Sequence, residues 1–349
     1  MHEYEQIKFF KAGNEGDFLS VLRLINDGVT LVNLCLDQKR EWMKNSLSLG
    51  EIGFGCNVTS KINDFDIYED ALFIYYPWRN IIVQSFDKDV FRRLRYLRNL
   101  YKITNEEQEM LFSRHIGIVG MSVGMSVLKA LVLEGLAGEY TISDFDIIEL
   151  SNLNRIDSGI FSIGRSKVET AYRFIVEQDP FIKVNLFGEV SQQNINSVVS
   201  RSMDVVIDEC DSIATKILIR TISSSIGIPV IMHTSDRGML DIERYDKQDF
   251  NSNWTLLQFA SLDEIEIKKL SAKIVAEYCD LSGADARSKY SFSEIGKSLT
   301  SWPQLGGDVL AGAGNVAYAV RNLLLFNNTK SGRFLLEPKV LIENTENFE

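Results

Sequence analysis

Residues 116–126 read IGIVGMSVGMS: a short run rich in β-branched residues, a glycine turn at Gly120, and a second glycine four residues on. Beyond them Val127, Leu128, Leu131, Val132 and Leu136 recur at three- and four-residue spacing, the pattern of a helix that buries one face. The segment predicts strand, tight turn and helix in that order, and the same alternation continues outward from it. Strand-like runs at 140–143, 183–187, 205–208 and 229–232 alternate with helical patterns at 165–178, 193–200 and 213–225. The helix at 165–178 is stopped by Asp179-Pro180, since proline has no N–H to continue the ladder. Strands separated by helices predict an α/β fold, a Rossmann-like and mostly parallel sheet with helices on both faces.

Its flanks differ from this core. Residues 1–95 contain a helix near 17–24, strand-like stretches at 71–76 and 80–85, and a turn-rich joint at 50–55, which predicts a small N-terminal α+β lobe. Residues 96–250 form the alternating domain. The final stretch, 251–349, is read as a polar lid or insertion followed by an apolar helix with Gly306, Gly307, Gly312 and Gly314, then an edge strand at 333–342 that completes the domain.

A net charge of −11 disfavours nucleic acid, whose phosphates are bound by dense Lys/Arg surfaces. The one basic strip, Arg92, Arg93, Arg95 and Arg98, reads as the solvated face of an amphipathic helix. Cys35, Cys56, Cys210 and Cys279 form no C-x-x-C pair, so neither a disulfide framework nor a zinc site is signalled. No run reaches the roughly 18 apolar residues of a membrane span, and the polar N-terminus lacks the apolar core of a secretory signal. The expectation is a cytoplasmic protein without a membrane partner.

At the glycine turn the backbone can approach a phosphate, and the following helix presents free N–H groups and the positive end of its dipole. Gly120, Ser122 and Gly124 are the candidate contacts, although Ser122 and Met125 stand where a full G-x-G-x-x-G would carry glycine. Glycines that only allow close strand–helix packing are the other reading. Strand two leads into SDFDIIELSNLNR, 143–155. Its acid Asp144, about 24 residues past Gly120, sits where a nucleotide site needs a ribose acceptor, and Asp146 follows it. Asn152, Asn154 and Arg155 then supply two amides and a guanidinium suited to phosphate oxygens.

This stretch resembles the ThiF/MoeB superfamily of ubiquitin-activating-enzyme-like adenylyltransferases, whose pattern is an acid-rich strand end followed by S-N-L-N-R. The resemblance covers about 96–245 and implies ATP and Mg²⁺ as cofactors, without zinc. It makes Asp144 the ribose acid and Asn152, Arg155 and Lys167 the phosphate contacts. Asp211, in DECDS (208–212), becomes the Mg²⁺ ligand, and Arg98, in RYLRN (95–99), reaches into the partner's site of a homodimer. The chemistry fits these residue types. A carboxylate attacks the α-phosphorus as pyrophosphate leaves, so cations and a metal must neutralise the phosphates, while the carboxylate needs no base at neutral pH. Lys167 has a second reading as a solvated helix residue, and Asp211 as the N-cap of the helix at 213–225.

Asp236 and Arg237, at the end of the last parallel strand, are candidate substrate contacts or an ion pair bracing a loop. Cys210 reads as a small buried filler, leaving Cys279 as the outside candidate for a thioester. Absent zinc cysteines and an extra N-terminal lobe resemble the stand-alone members that modify ribosomally made peptides, such as those of microcin C and pantocin A biosynthesis. On that reading the partner is a peptide or small-protein carboxylate, and the lobe is a peptide clamp with 71–76 as its exposed edge. Activation of a ubiquitin-like sulfur carrier and a catalytically silent nucleotide-binding scaffold are the alternatives.

Overall fold

The structure, a computed structural model, describes residues 4–50, 58–62, 65–234, 237–248, 250–251, 253–278 and 284–336. They divide into two compact units, one of residues 1–105 with 176–181 and one of residues 106–175 with 182–349.

The first unit runs β1 (Lys8–Lys11), α1 (Glu15–Asn26), β2 (Thr30–Asn33), α2 (Cys35–Lys44), α3 (Ser46–Leu49), β3 (Val58–Ile62), β4 (Phe65–Tyr68), β5 (Leu72–Tyr76), β6 (Ile81–Ser85) and α4 (Lys88–Arg95). Asn14 caps α1 by accepting from the Asp17 N–H at 3.0 Å. One face of the helix then packs Val21 against Phe73, Ile82 and Ile67. The sheet order is β1-β5-β6-β2. This corrects the expectation of an exposed edge at 71–76: β5 is an inner strand, paired antiparallel to β1 on one side and to β6 on the other. The outermost strands are β1 and β2, which the polar ends of their sequences concealed. A second correction concerns the basic strip. Arg92 does not face solvent; it is 5% exposed and pairs with the fully buried Asp179 at 2.9 Å. A buried charge persists where its partner satisfies it.

In the second unit α5 (Asn105–Phe112) precedes β7 (His115–Val119), α6 (Val123–Glu134), β8 (Glu139–Ser143), α7 (Lys167–Gln178), β9 (Lys183–Phe187), α8 (Ile195–Val198), β10 (Val205–Asp208), α9 (Ile213–Ile226) and β11 (Val230–His233). Then come β12 (Met239–Glu243), α10 (Glu264–Tyr278), α11 (Ala286–Glu294), α12 (Gly306–Phe326) and β13 (Gly332–Leu335). The sheet order is β13-β12-β11-β10-β7-β8-β9. Five strands are parallel, and the last two turn antiparallel. The α/β sheet with helices on both faces is as expected, whereas β12 occupies a segment to which the sequence pattern assigns no element. Its acids hid it: Asp241 and Glu243 are fully buried. Tyr278 and Arg333 bond Asp241, and Arg220 bonds Glu243. Burial of ionised groups is tolerable only with such pairing. Of the expected strand at 333–342, β13 ends at Leu335 and 337–342 lie outside the described residues.

The glycine-rich helix α12 packs along α6 and against β11 and β12. A Cβ at Gly306 would come within 2.5 Å of the Asn154 carbonyl oxygen, and one at Gly312 would overlap the His233 ring. The helix is long enough and, with a mean hydropathy of 1.3, apolar enough to cross a membrane, contrary to the sequence expectation that no run qualifies. Half of that window is buried inside the unit, however, as in the core helix of a folded domain.

Candidate active site

Two cavities open at the carboxyl ends of β7, β8, β10 and β11 in the second unit, and they share Glu209, Cys210 and Asp211. The first, about 410 Å³, is polar and lies over the glycine turn. Gly120 stands at its floor with φ of +92°, and a Cβ there would fall 2.5 Å from the Glu209 carbonyl, so both conformation and space require glycine. Gly124 serves packing instead: a Cβ would press on Ile118 and Met121 at 3.2 Å. Ser122 precedes α6 as its N-cap residue without a side-chain cap bond, and its hydroxyl accepts from Arg155 Nε at 3.2 Å.

Gly120, Ser122, Asp144, Asp146, Lys167 and Asp211 all line this cavity. Asp144 is held by two backbone donors, Met121 N–H at 2.6 Å and Asp146 N–H at 2.8 Å, leaving lone pairs of its carboxylate for a ligand. Burial raises its pKa, against the opposing pull of the Met121 N–H and Lys167. Lys167 is 5% exposed and donates to Asp146 Oδ2 at 2.7 Å, which settles that it is not a solvated helix residue. Asp211 is exposed at the common mouth of the two cavities. It is not the cap of α9; Ser212 is, accepting from Thr215 N–H.

Two expected phosphate contacts are not in the cavity wall. Asn152 is buried, and its side-chain oxygen accepts from Glu149 N–H at 3.0 Å in a reciprocal cap of the 3-10 turn Leu150–Asn154. The cap uses the amide oxygen, whereas a phosphate would take the amide N–H donors. Arg155 binds Ser122 and Asn154 and so touches the cavity only through Ser122. Burial lowers its pKa, and the charge of Asp211 works against that. Arg98 belongs to the first unit, exposed on the 3-10 turn Leu97–Asn99. Among the described residues no group of three or more His, Cys, Asp or Glu is placed to hold a metal, so a cation at Asp211 would need ligands from a nucleotide's phosphates.

The second cavity, about 250 Å³, is mostly apolar. Met232, Met239, Tyr278, Phe292 and Trp302 contribute to its walls, with Lys216, His233 and Arg237 among its polar members. Arg237, with φ of +51°, is thereby placed as a lining residue, while Asp236 and Cys279 lie outside the described residues. Sequence reasoning missed Lys216, Glu209 and His233. Beneath both cavities burial opposes ionisation of Asp208, but Lys216 at 3.2 Å and Arg220 outweigh it and hold the carboxyl at about 2. Burial pushes Glu209 up to about 8, against the opposing charge of Lys216 and the His233 N–H. Burial and the neighbouring Asp208 push the Cys210 thiol well up, so it is a poor nucleophile, and it donates to Asp208 Oδ1 at 3.0 Å.

Comparison with known proteins agrees with this layout. An uncharacterized protein of Mycobacterium tuberculosis is 37% identical over 289 residues, 81% of this chain and 40% of that protein. The probable adenylyltransferase/sulfurtransferase MoeZ of the same species is 30% identical over 142 residues, 39% of this chain and 36% of MoeZ. The chain thus spans about two-fifths of the length of these relatives. The crystal structure of PaaA superposes with a TM-score of 0.51 at 20% identity, covering 70% of this chain and 83% of that one, a likeness of fold. Residues 95–238 match the ThiF family, so a ThiF-family domain spans the stretch that holds the glycine turn, Asp144, Lys167 and Asp211.

Proposed function

We propose that the chain is an ATP-dependent adenylyltransferase that activates the carboxylate of a peptide, releasing pyrophosphate. The observation that carries this reading is the pair of cavities meeting at Asp211, one polar and floored by Gly120, the other apolar and lined by Arg237. ATP in the first would set its ribose on Asp144 and its phosphates over the α6 N-terminus and Lys167. Mg²⁺, held by Asp211 and phosphate oxygens, would supply Lewis-acid neutralisation of the leaving pyrophosphate. A carboxylate entering from the second cavity would meet Arg237, and its own ionisation removes any need for a base.

The rest of the reading extends this core. Arg98 acts across a homodimer on the partner's nucleotide. The first unit holds a leader peptide by strand addition, at an outermost strand of its sheet rather than at β5. The whole works in the cytoplasm, in the maturation of a ribosomally made peptide. MoeZ, by its name an adenylyltransferase, supports the nucleotide chemistry. The test is ATP–pyrophosphate exchange with the wild type and with Lys167→Met, Asp211→Ala and Arg98→Ala. All three variants should lose exchange, and a mixture of the last two should regain part of it if Arg98 works in trans. A wild type that binds ATP but exchanges no pyrophosphate with any short peptide carboxylate would point to a silent scaffold instead.

A further inference from the structure

The second cavity carries more than a path to the phosphate. Its walls come from elements far apart in the chain: Ile213 on α9, Met232 on β11, Met239 on β12, Val275 and Tyr278 on α10, and Phe292 on α11. The Phe292 ring leans on Trp302 at 6.1 Å between centroids. Lys216 brings no free charge to it, since Asp208 pairs it at 3.2 Å. His233, 3% exposed, also lines it, and its two ring nitrogens are enclosed without a hydrogen-bond partner among the described residues. Gly312 of α12 packs so close to that ring that a Cβ there would overlap it. Burial keeps the imidazole neutral at pH 7, with its pKa pushed down to about 4. A chamber walled mostly by apolar side chains from separate elements, with polar residues at the side it shares with the other cavity, has the form of a ligand site.

We propose that this chamber receives the side chain of the residue that bears the reacting carboxylate, and that this side chain is aromatic or large aliphatic. The inference rests on the adenylation reading for the identity of the carboxylate, and the wall residues that the chamber shares with the polar cavity, Glu209, Cys210 and Asp211, set the direction of entry. It separates this chain from activators of glycine-ended carriers, since glycine would leave the chamber empty. Filling an apolar pocket with a large side chain is worth roughly tenfold to a hundredfold in affinity.

Full-length protein without nucleotide is titrated calorimetrically with acetyl-Ala-Gly, acetyl-Ala-Asp, acetyl-Ala-Leu and acetyl-Ala-Phe, each with a free carboxylate. The last two should bind about tenfold or more tighter than the first two. Val275→Phe, which fills the chamber from α10, should abolish that preference while leaving ATP affinity unchanged, the latter showing that the variant is folded. Trp302→Ala serves as a second variant and should weaken only the Leu and Phe peptides. Equal affinity for all four peptides, or a preference that survives both variants, overturns the proposal. Because these titrations contain no ATP, their failure is distinct from a failure of pyrophosphate exchange, which would sink the adenylation reading and leave the chamber's selectivity standing.

Discussion

The two cavities of the second unit are neighbours built on opposite principles. The polar one is lined by residues that the backbone itself dictates: a glycine that no other residue can replace, an acid tied to two main-chain N–H groups, and a lysine anchored by Asp146. The apolar one is assembled from side chains of helices, strands and loops that meet only in three dimensions, with Arg237 and His233 among its few polar members. The first is therefore pre-organised for a ligand of fixed charge and shape. The second is shaped for whatever apolar group fills it, and its specificity can change by substitution without disturbing the nucleotide.

That contrast is most easily broken at Gly120. Gly120→Ala forces a left-handed backbone on alanine and drives a Cβ into the Glu209 carbonyl, so we expect a loss of roughly 3–5 kcal/mol in urea unfolding, together with loss of ATP binding. A stable variant that still binds ATP would show that the turn can move and that the cavity is less rigid than described.

In the second cavity the corresponding handle is pH. His233 is neutral when buried, with a pKa of about 4, while an unfolded histidine titrates near 6.5. Above pH 6.5 neither state takes up the proton and the full stability is present. As pH falls from 6.5 through 4 the unfolded chain is protonated first, and stability drops by up to about 3 kcal/mol. Denaturant midpoints across that window should decline in the wild type and decline less in His233→Gln. Parallel slopes for the two proteins would refute the assignment.

Lys167→Met sharpens the comparison further. Removing one buried charge-assisted contact should weaken ATP by about 2 kcal/mol, roughly thirtyfold, without altering peptide affinity. Arg237→Met should do the reverse, since it lines only the second cavity. Calorimetric titration of both ligands against both variants checks this, and a crossed effect would mean that the cavities act as one.

How much of this was legible follows from the same contrast. IGIVGMSVGMS announced the turn because positive φ and close approach leave a mark at a single position, and Asp144 followed at the distance the fold imposes. The apolar chamber left no such mark: Met232 lies far along the chain from Phe292 and Trp302, and each reads as ordinary core. Lys216 was hidden in an apolar helix, where its pairing with Asp208 is visible only once β10 and α9 are in place. Asn152 has a duty the sequence did not announce: its amide oxygen caps the Leu150–Asn154 turn by accepting from the Glu149 N–H. The antiparallel β12 was missed because Asp241 and Glu243 look solvent-seeking until Arg333 and Arg220 are brought to them.

The smallest effect we expect distinguishes adjacent residues at the point where the cavities meet. Ser212 caps α9 through Thr215 N–H, so Ser212→Ala should cost about 1 kcal/mol of stability. Asp211 is exposed and does not cap the helix, so Asp211→Ala should change stability by no more than about 0.5 kcal/mol. If Asp211 holds a metal on the nucleotide, its alanine variant should nonetheless lose the magnesium dependence of ATP affinity, which Ser212→Ala should retain. A thermal unfolding series at several magnesium concentrations reads both quantities at once. The reverse pattern, with Asp211→Ala less stable and its magnesium response intact, would return that carboxylate to a structural role and leave the polar cavity without its metal ligand.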